Sequence, residues 1–136
     1  MAAGRWIFKT EPSDYSFPDL VREGRTAWTG VRSPAAQLHL RAVHQGDEVL
    51  IYHTGDERAL VGLARVAKAP FPDPTQPGSR AVAVELVPVR ALAQPVPLST
   101  IKADTAFKDL GLVRIGRLSV MPATDAQWGK LLKLGA

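Results

Sequence analysis

The sequence predicts an α+β fold, in which a mixed sheet or small barrel carries short helices at its ends. Segments with the period-two alternation or the short apolar runs of strands outnumber long helical segments. These strands do not alternate strictly with crossover helices, which disfavours a doubly wound parallel sheet. The chain has 136 residues, the length of one domain with one hydrophobic core, so we expect a single domain over residues 1–136.

The first half of the chain predicts a strand followed by two helices. Residues 5–11 alternate between two faces, as a half-buried strand does. A proline in the first turn predicts a short helix over residues 17–21. Ser33 is the predicted N-cap of a second helix. Apolar residues at helical spacing predict the inward face of that helix, namely Ala35, Leu38 and Ala42.

Residues 48–53 and 59–67 are typical of two strands, and a hairpin is their natural connection. Gly62 lies in the middle of the second strand, where a residue without a side chain indicates a bulge or a close approach of the backbone. The proline-rich stretch 70–78 is predicted to be irregular, although its fixed φ angles argue against a flexible linker.

The second half predicts a further strand over residues 81–89, in which Pro88 forces an edge or a bulge. Short helical turns are expected within residues 99–110, and a last short strand over residues 117–121. Residues 124–127 have the spacing of a capping box for a closing helix. One face of that helix is apolar and carries Trp128, Leu131 and Leu132.

Composition restricts the class of protein. The formal net charge is +4 and the pI is about 9.8, which is compatible with a polyanionic partner. The absence of cysteine excludes disulfides, Cys-containing zinc sites and thiol nucleophiles. The first residues lack the apolar core of a signal peptide, and no apolar run approaches the roughly 18 residues of a membrane span. We expect a soluble, cytoplasmic protein without a membrane partner.

The sequence lacks the common catalytic signatures. It contains no Walker loop and no GxGxxG, GxSxG or HExxH motif. His39 and His44 are five residues apart, about 140° around a helix, and cannot chelate one metal ion from it. We expect neither a metal nor a cofactor. His53, oriented by Asp73 or Glu11, is a conceivable general base, which leaves open an enzyme that acts on a nucleobase or nucleotide.

The stretch 28–34 combines a large aromatic ring, a glycine, a cation and a helix start. Trp28 can stand at the edge of a pocket beside Gly30, which permits backbone angles that other residues resist. Arg32 can donate two hydrogen bonds to a phosphate or a base edge. This set suits a nucleobase with its phosphate. The alternative interpretation is that Trp28 is a core residue and Arg32 a surface cation.

Short motifs follow one another along nearly the whole chain. They are Trp6-Ile-Phe-Lys-Thr-Glu-Pro-Ser13 with Tyr15-Ser16, Trp28-Thr-Gly-Val-Arg32, Gly46-Asp47 followed by Leu50-Ile-Tyr-His53, Val61-Gly62, Pro72-Asp-Pro-Thr75, Ile101-Lys102 and Arg117-Leu-Ser-Val-Met-Pro122. In this order they resemble the EVE domain, a member of the PUA-like superfamily. The resemblance implies a PUA-like twisted mixed β-sheet, or pseudo-barrel, surrounded by short helices.

The resemblance also implies a function. It is that of a non-enzymatic, nucleic-acid-binding domain that reads a modified base, modified cytosine in DNA above all, in an aromatic pocket after base flipping. RNA is the alternative ligand, since the family is akin to YTH domains, which read methylated adenine in RNA. A protein-interaction module with a vestigial pocket is a third possibility. The expected partner is DNA or RNA with a modified base, bound by a monomer.

Roles for individual residues follow from the same resemblance. Trp28 would stack on the base, with Tyr52 and His53 at the pocket edge. Donors to the base edge or to a phosphate would come from Lys9, Ser13, Arg32, Arg117 and Ser119. Asp73 would brace its loop, in preference to accepting from an exocyclic amine. Ser33 stands where the family commonly has Asn, so it either weakens recognition of the base edge or serves as a helix cap.

Overall fold

In the computed structural model, which describes residues 4–136, six strands form one mixed sheet that curls into a half-barrel. The strands are β1 (Arg5–Thr10), β2 (Thr26–Trp28), β3 (Glu48–His53), β4 (Ala59–Pro72), β5 (Val82–Pro97) and β6 (Val120–Pro122). Around the sheet lie the helices α1 (Phe17–Glu23), α2 (Pro34–Arg41), α3 (Leu98–Lys102), α4 (Gly111–Arg114) and α5 (Asp125–Leu134), with a 3₁₀ turn at Thr105–Phe107. The predicted mixed sheet with short helices is confirmed.

The order of the strands across the sheet is β2-β5-β4-β3-β1-β6. β1 runs parallel to β3, and the other pairings of the described chain are antiparallel. Three strands therefore separate β1 from β2, which would put them about 19 Å apart in a flat sheet with a spacing of about 4.8 Å. The ring centroids of Phe8 on β1 and Trp28 on β2 are instead 5.7 Å apart. The curl of the sheet thus brings its two ends together.

The hairpin of β3 and β4 and the irregularity at Gly62 are both confirmed. The register of β4 shifts at Gly62 against both neighbouring strands. A Cβ atom built at Gly62 would overlap the ring of Phe17, the first residue of α1. The missing side chain therefore lets α1 pack directly on the sheet.

The prediction for the proline-rich stretch is wrong at its start. β4 continues to Pro72, where Phe71 pairs with Ala83 and Pro72 with Val82. A register shift between Lys68 and Phe71 leaves Pro70 out of the pairing, so the strand tolerates a residue that has no N–H to donate. β5 is likewise longer than predicted, because it remains paired with β4 as far as Pro97.

The predicted inward face of α2 is wrong. Its buried residues are Ala36, Gln37 and Leu40, whereas 67% of the Leu38 side chain is exposed, and Ala35 and Ala42 are exposed as well. The reason is the amide of Gln37. Its nitrogen donates to the carbonyl of Val31 at 2.7 Å, and its oxygen accepts from the N–H of Val82 at 2.9 Å. These hydrogen bonds make a polar residue part of the buried face, which an apolar pattern cannot indicate.

The last strand is shorter than predicted, and two further elements were not expected. β6 begins at Val120 because its pairing with β1 extends only from Phe8 to Trp6, while Arg117 lies in a turn. β2 and α4 span too few residues to show a period. The closing helix α5 and its capping box at Thr124 are confirmed. No helix within residues 4–136 has the length and apolar character needed to cross a membrane.

Candidate functional site

A cleft of about 470 Å³ opens where the two ends of the curled sheet meet, and we call it the main cleft. Its size is typical of ligand pockets. Its walls are formed by the end of β1 with the segment after it, by β2 with the following loop, and by one residue before β6. They contribute Lys9, Thr10, Glu11, Asp14, Tyr15, Thr26, Ala27, Trp28, Thr29, Gly30, Val31, Arg32 and Ser119.

Trp28 is both a core residue and a wall of the main cleft. Only 9% of its surface is exposed. The centroid of its ring lies 5.7 Å from the ring centroid of Phe8 and 6.0 Å from that of Tyr15. The Tyr15 ring meets it edge-on, at 87°. The Tyr15 hydroxyl donates to Glu23, and burial together with this hydrogen bond raises the pKa of Tyr15. The indole is therefore held rigidly, as a stacking surface requires.

Asp73 braces the loop that follows Trp28. Its Oδ2 accepts from the N–H of Gly30 at 2.8 Å and from Gln76 at 2.8 Å, and its Oδ1 accepts from the N–H and hydroxyl of Thr75 at 2.8 and 2.7 Å. Burial would raise the pKa of Asp73, but these hydrogen bonds outweigh it and lower the pKa to about 2. Gly30 has a φ of 77°, a left-handed backbone that favours glycine. Both oxygens of Asp73 are occupied, which favours bracing over recognition of an amine.

Lys9 lies between the main cleft and a smaller one. Its Nζ donates to the carbonyl of Gly116 at 2.9 Å and stands 5.7 Å from the centroid of the Tyr52 ring. Partial burial lowers the pKa of Lys9. The backbone N–H of Lys9 donates to the carbonyl of Ser119 at 2.9 Å, so the two residues are fixed side by side. Arg32 is exposed and lines the main cleft.

The smaller cavity, about 220 Å³, is called here the second cleft. It is lined by Lys9, Tyr52, Thr54, Gly55, Arg58, Leu98, Lys102, Leu112, Val113 and Gly116. Tyr52 lies here rather than in the main cleft and is 3% exposed. Burial raises the pKa of Tyr52, although the positive charge of Arg58 acts to lower it. Lys9 is common to the two linings, so the clefts are neighbours.

His53 is used within the fold. Its Nε2 accepts from the N–H of Phe17 at 3.0 Å, which places the proton of the neutral ring on Nδ1. Nδ1 in turn lies 2.8 Å from Oε1 of Glu57. Only 4% of His53 is exposed, and it belongs to neither cleft. Within residues 4–136 His53 forms a hydrogen bond with neither Asp73 nor Glu11, and its two nitrogens are already engaged.

Comparison with known proteins decides the family. The sequence model described as the EVE domain matches residues 4–134. The chain belongs to the EVE domain family. The solved structure of the bacterial protein Rpa0253 from Rhodopseudomonas palustris superposes on this EVE domain with a TM-score of 0.92. The two sequences are 36% identical, and the match covers 98% of this chain and 93% of Rpa0253.

Two human comparisons concern one named relative. The curated thymocyte nuclear protein 1 of Homo sapiens is 27% identical in an alignment 166 positions long, gaps included, which covers 97% of this EVE domain and 74% of the relative. The structure of human THYN1 protein in complex with DNA containing 5-methylcytosine is 28% identical, covers 98% of both chains and has a TM-score of 0.91. The EVE and PUA-like fold that the motifs implied is confirmed.

The EVE domain gathers some of the predicted site residues and disperses others. Lys9, Trp28, Arg32 and Ser119 line the main cleft, and Tyr52 lines the second. The others lie in neither lining, namely Ser13, Ser33, His53, Asp73 and Arg117. The reasons are local ones. Ser13 is exposed and donates to Glu11 at 3.2 Å, and Ser33 caps α2 by accepting from the N–H of Ala36 at 3.4 Å. Ligand roles for all these residues stay predictions.

Sequence reasoning missed several polar side chains of the main cleft as ligand candidates, namely Thr10, Thr26 and Thr29 as well as two that lie shortly after β1, and it misjudged Glu11. Asp14 and Tyr15 were not considered, and Glu11 entered only as a partner for His53. Glu11 instead accepts from the hydroxyl of Thr54 at 3.0 Å. The signal for Glu11, Asp14 and Tyr15 was their position, since they follow the end of β1. Polar residues at the end of a buried strand lie where the curled sheet opens.

Proposed function

We propose that this EVE domain is a non-enzymatic reader of a modified base in nucleic acid, modified cytosine in DNA, and that the base enters the main cleft. The observation that carries the proposal is that Trp28, packed against Phe8 and Tyr15, shares the lining of a ligand-sized cleft with cations and carboxylates. Support also comes from human THYN1, a structural relative that was solved with DNA containing 5-methylcytosine.

The side chains of the main cleft suit the parts of a cytosine nucleotide. Trp28 lines the cleft, and stacking of a base on an aromatic side chain contributes about 1–3 kcal/mol. Glu11 and Asp14 can accept from an exocyclic amine, the donor that cytosine and adenine carry and that thymine lacks. Lys9 and Arg32 can donate to ring acceptors or to a phosphate.

The energetics limit how selective such a cleft is. Flipping a base out of a duplex costs a few kcal/mol, so stacking alone does not offset it and polar contacts must supply the remainder. A methyl group adds about 0.8 kcal/mol when buried, roughly a fourfold preference. We therefore expect moderate, salt-sensitive affinity and a modest preference for the methylated base.

The alternative of an enzyme acting on a nucleobase receives no support from the pair on which it depended. Nε2 of His53 accepts a hydrogen bond from the N–H of Phe17, and Nδ1 contacts the carboxylate of Glu57. His53 is also outside the lining of the main cleft. Incubation of nucleotides and short oligonucleotides with the protein, followed by chromatography, tests this alternative directly. We expect every substrate to be returned unchanged, and a modified product would overturn the non-enzymatic proposal.

Fluorescence anisotropy with short labelled probes tests the reader. The probes are duplex DNA, single-stranded DNA and RNA, each with cytosine, 5-methylcytosine, 5-hydroxymethylcytosine or N6-methyladenine. The variants are Trp28→Ala and Trp28→Leu, since Leu keeps apolar volume if Ala destabilises the core. Arg90→Ala is the matched control for Arg32→Ala, because Arg90 is exposed and belongs to neither cleft.

The expected result is tighter binding to one modified probe, with the preference lost in both Trp28 variants and retained in Arg90→Ala. Arg32→Ala should weaken binding to all probes, whereas Arg90→Ala should leave their binding unaffected. Circular dichroism establishes that each variant is folded. Equal binding of all probes by wild type and by folded Trp28 variants would refute the proposal, because net charge alone would then explain the interaction.

A further inference from the structure

The charges of the two clefts differ, and the difference assigns them different ligands. The main cleft mixes the cations Lys9 and Arg32 with the carboxylates Glu11 and Asp14. The lining of the second cleft, as described within residues 4–136, holds cations and no carboxylate. A mixed set suits the donors and acceptors of a base edge, whereas a purely cationic set suits a phosphate.

We propose that the second cleft binds a backbone phosphodiester group of the same strand whose base occupies the main cleft. Its cations are Lys9, Arg58 and Lys102. This inference rests on the proposed function and extends it, since it adds a phosphate site to the base site. Lys102 belongs to the Ile101-Lys102 motif of the sequence, for which the base site has no use.

None of the three cations is engaged in an ion pair within residues 4–136. Some basic residues of the described chain form ion pairs, such as Arg25 with Glu85 at 2.8 Å and Lys130 with Asp104 at 2.6 Å, whereas others, such as Arg90, form none. Three cations that share one cleft repel each other when no anion is present. An anion between them removes that repulsion.

The fold holds the backbone of Arg58 and the side chain of Lys9 in place. Arg58 has a φ of 46°, the one left-handed backbone at a non-glycine residue in the described part of the chain. Its carbonyl accepts from the N–H of Leu98 at 2.8 Å, which ties the β3–β4 loop to the start of α3. Such a conformation persists only where the surroundings impose it, and it is found at ligand sites. Lys9 is fixed by its hydrogen bond to Gly116 at 2.9 Å.

The size and the position of the second cleft fit the same ligand. At about 220 Å³ it is smaller than a cavity for a drug-sized ligand, and it suits a phosphate better than a second base. Lys9 is part of both linings, so a ligand group in one cleft is close to a ligand group in the other. A base and a phosphate are joined in this way in one nucleic-acid strand.

Variants of the two cations that are specific to the second cleft test the inference. Arg58→Gly removes the charge at a position whose backbone favours glycine, so this variant should fold. Lys102→Gln removes the second charge, and Arg90→Gln, in neither cleft, is the control. Binding of the preferred modified probe and of its unmodified counterpart is measured between about 50 and 200 mM salt, where phosphate contacts dominate the salt dependence.

We expect each variant to weaken binding about fivefold to modified and unmodified probes alike. The slope of log K against log salt should fall by about 0.9 per lost contact in duplex DNA, or about 0.7 in a single strand. The preference for the modified base should not change. An uncharged methylphosphonate at one linkage next to the modified base should reproduce the loss in wild type. It should add nothing in a double variant that carries both Arg58→Gly and Lys102→Gln.

The readouts separate this inference from the proposed function. A modified-base preference that depends on Trp28, together with unchanged affinity and salt slope in Arg58→Gly and Lys102→Gln, overturns the phosphate site alone. Charge-dependent binding that is lost in these variants, without any base preference, overturns the base reader alone. The phosphate site is also overturned if a methylphosphonate has no effect at any linkage next to the base. It is overturned, too, if wild type binds no nucleic acid at all.

Discussion

Replacement of Asp73 by Asn should destabilise the folded protein by about 2 kcal/mol at neutral pH. The carboxylate of Asp73 accepts four hydrogen bonds, from Gly30, Thr75 and Gln76. An amide at this position keeps one oxygen and presents an NH₂ group to donors that need an acceptor. A buried donor without a partner costs about 1–3 kcal/mol.

The pKa of Asp73 supplies an independent magnitude. The folded protein holds it at about 2, below the ordinary value of 3.8. At about 1.4 kcal/mol per pKa unit, the difference corresponds to roughly 2 kcal/mol of stability. Because the pKa is lowered on folding, this contribution is fully present above about pH 4 and is lost as the pH falls through about 2.

Urea unfolding at a series of pH values between about 7 and 2 measures this contribution. The free energy of unfolding of wild type should exceed that of Asp73→Asn at neutral pH, and the gap should narrow by roughly 2 kcal/mol as the pH falls from about 5 to 2. Asp56→Asn is the matched control, because Asp56 is exposed and in the same kind of loop. This exposed substitution should change the free energy of unfolding at neutral pH by no more than about 0.5 kcal/mol.

A gap between wild type and Asp73→Asn that is the same at every pH would refute the reasoning. It would mean that the Asp73 carboxylate has the same pKa in the folded and unfolded chains. A gap that widens toward low pH would reverse the sign of the argument. Either result would leave the loop after Trp28 without its electrostatic support.

Three further predictions concern other parts of the structure and are tested by urea unfolding. Gly62→Ala should cost about 1–3 kcal/mol or more because of the overlap with Phe17, and Phe17→Leu in the same chain should recover part of the loss. His53→Ala should cost about 1–3 kcal/mol by leaving the N–H of Phe17 unpaired, without changing the preference among probes in anisotropy. Leu38→Lys should stay within about 0.5 kcal/mol, whereas Leu40→Ala should cost about 2–5 kcal/mol; the reverse order would restore the face of α2 predicted from sequence.

The parts of the fold that follow from local patterns were predictable. The alternation in β1, the hairpin of β3 and β4 and the capping box of α5 each depend on residues close in sequence. Gly62 revealed a close approach of the backbone, although the sequence did not identify Phe17 as the neighbour. Interactions between distant residues were not predictable, such as the pairing of Gln37 with Val82 that reorients α2.

The candidate site shows the same division. Trp28, Gly30 and Arg32 were recognised because they are adjacent in the sequence and lie together in the structure. Tyr52 and His53, predicted at the pocket edge, are absent from the lining of the main cleft, because β3 is an inner strand and nearly every residue of it is buried. Alternation does not show which face of such a strand meets a cleft.

The meeting of β1 and β2 across the curled sheet couples ligand binding to the folding equilibrium of the entire sheet. The walls of the main cleft come from two strands, β1 and β2, that three other strands separate in the sheet. A ligand between them therefore adds contacts that hold the two ends of the curled sheet together. At one hundred times its Kd, such a ligand raises the free energy of unfolding by about 2.7 kcal/mol. Any substitution in β3, β4 or β5 that relaxes the curl should therefore weaken binding before it unfolds the protein.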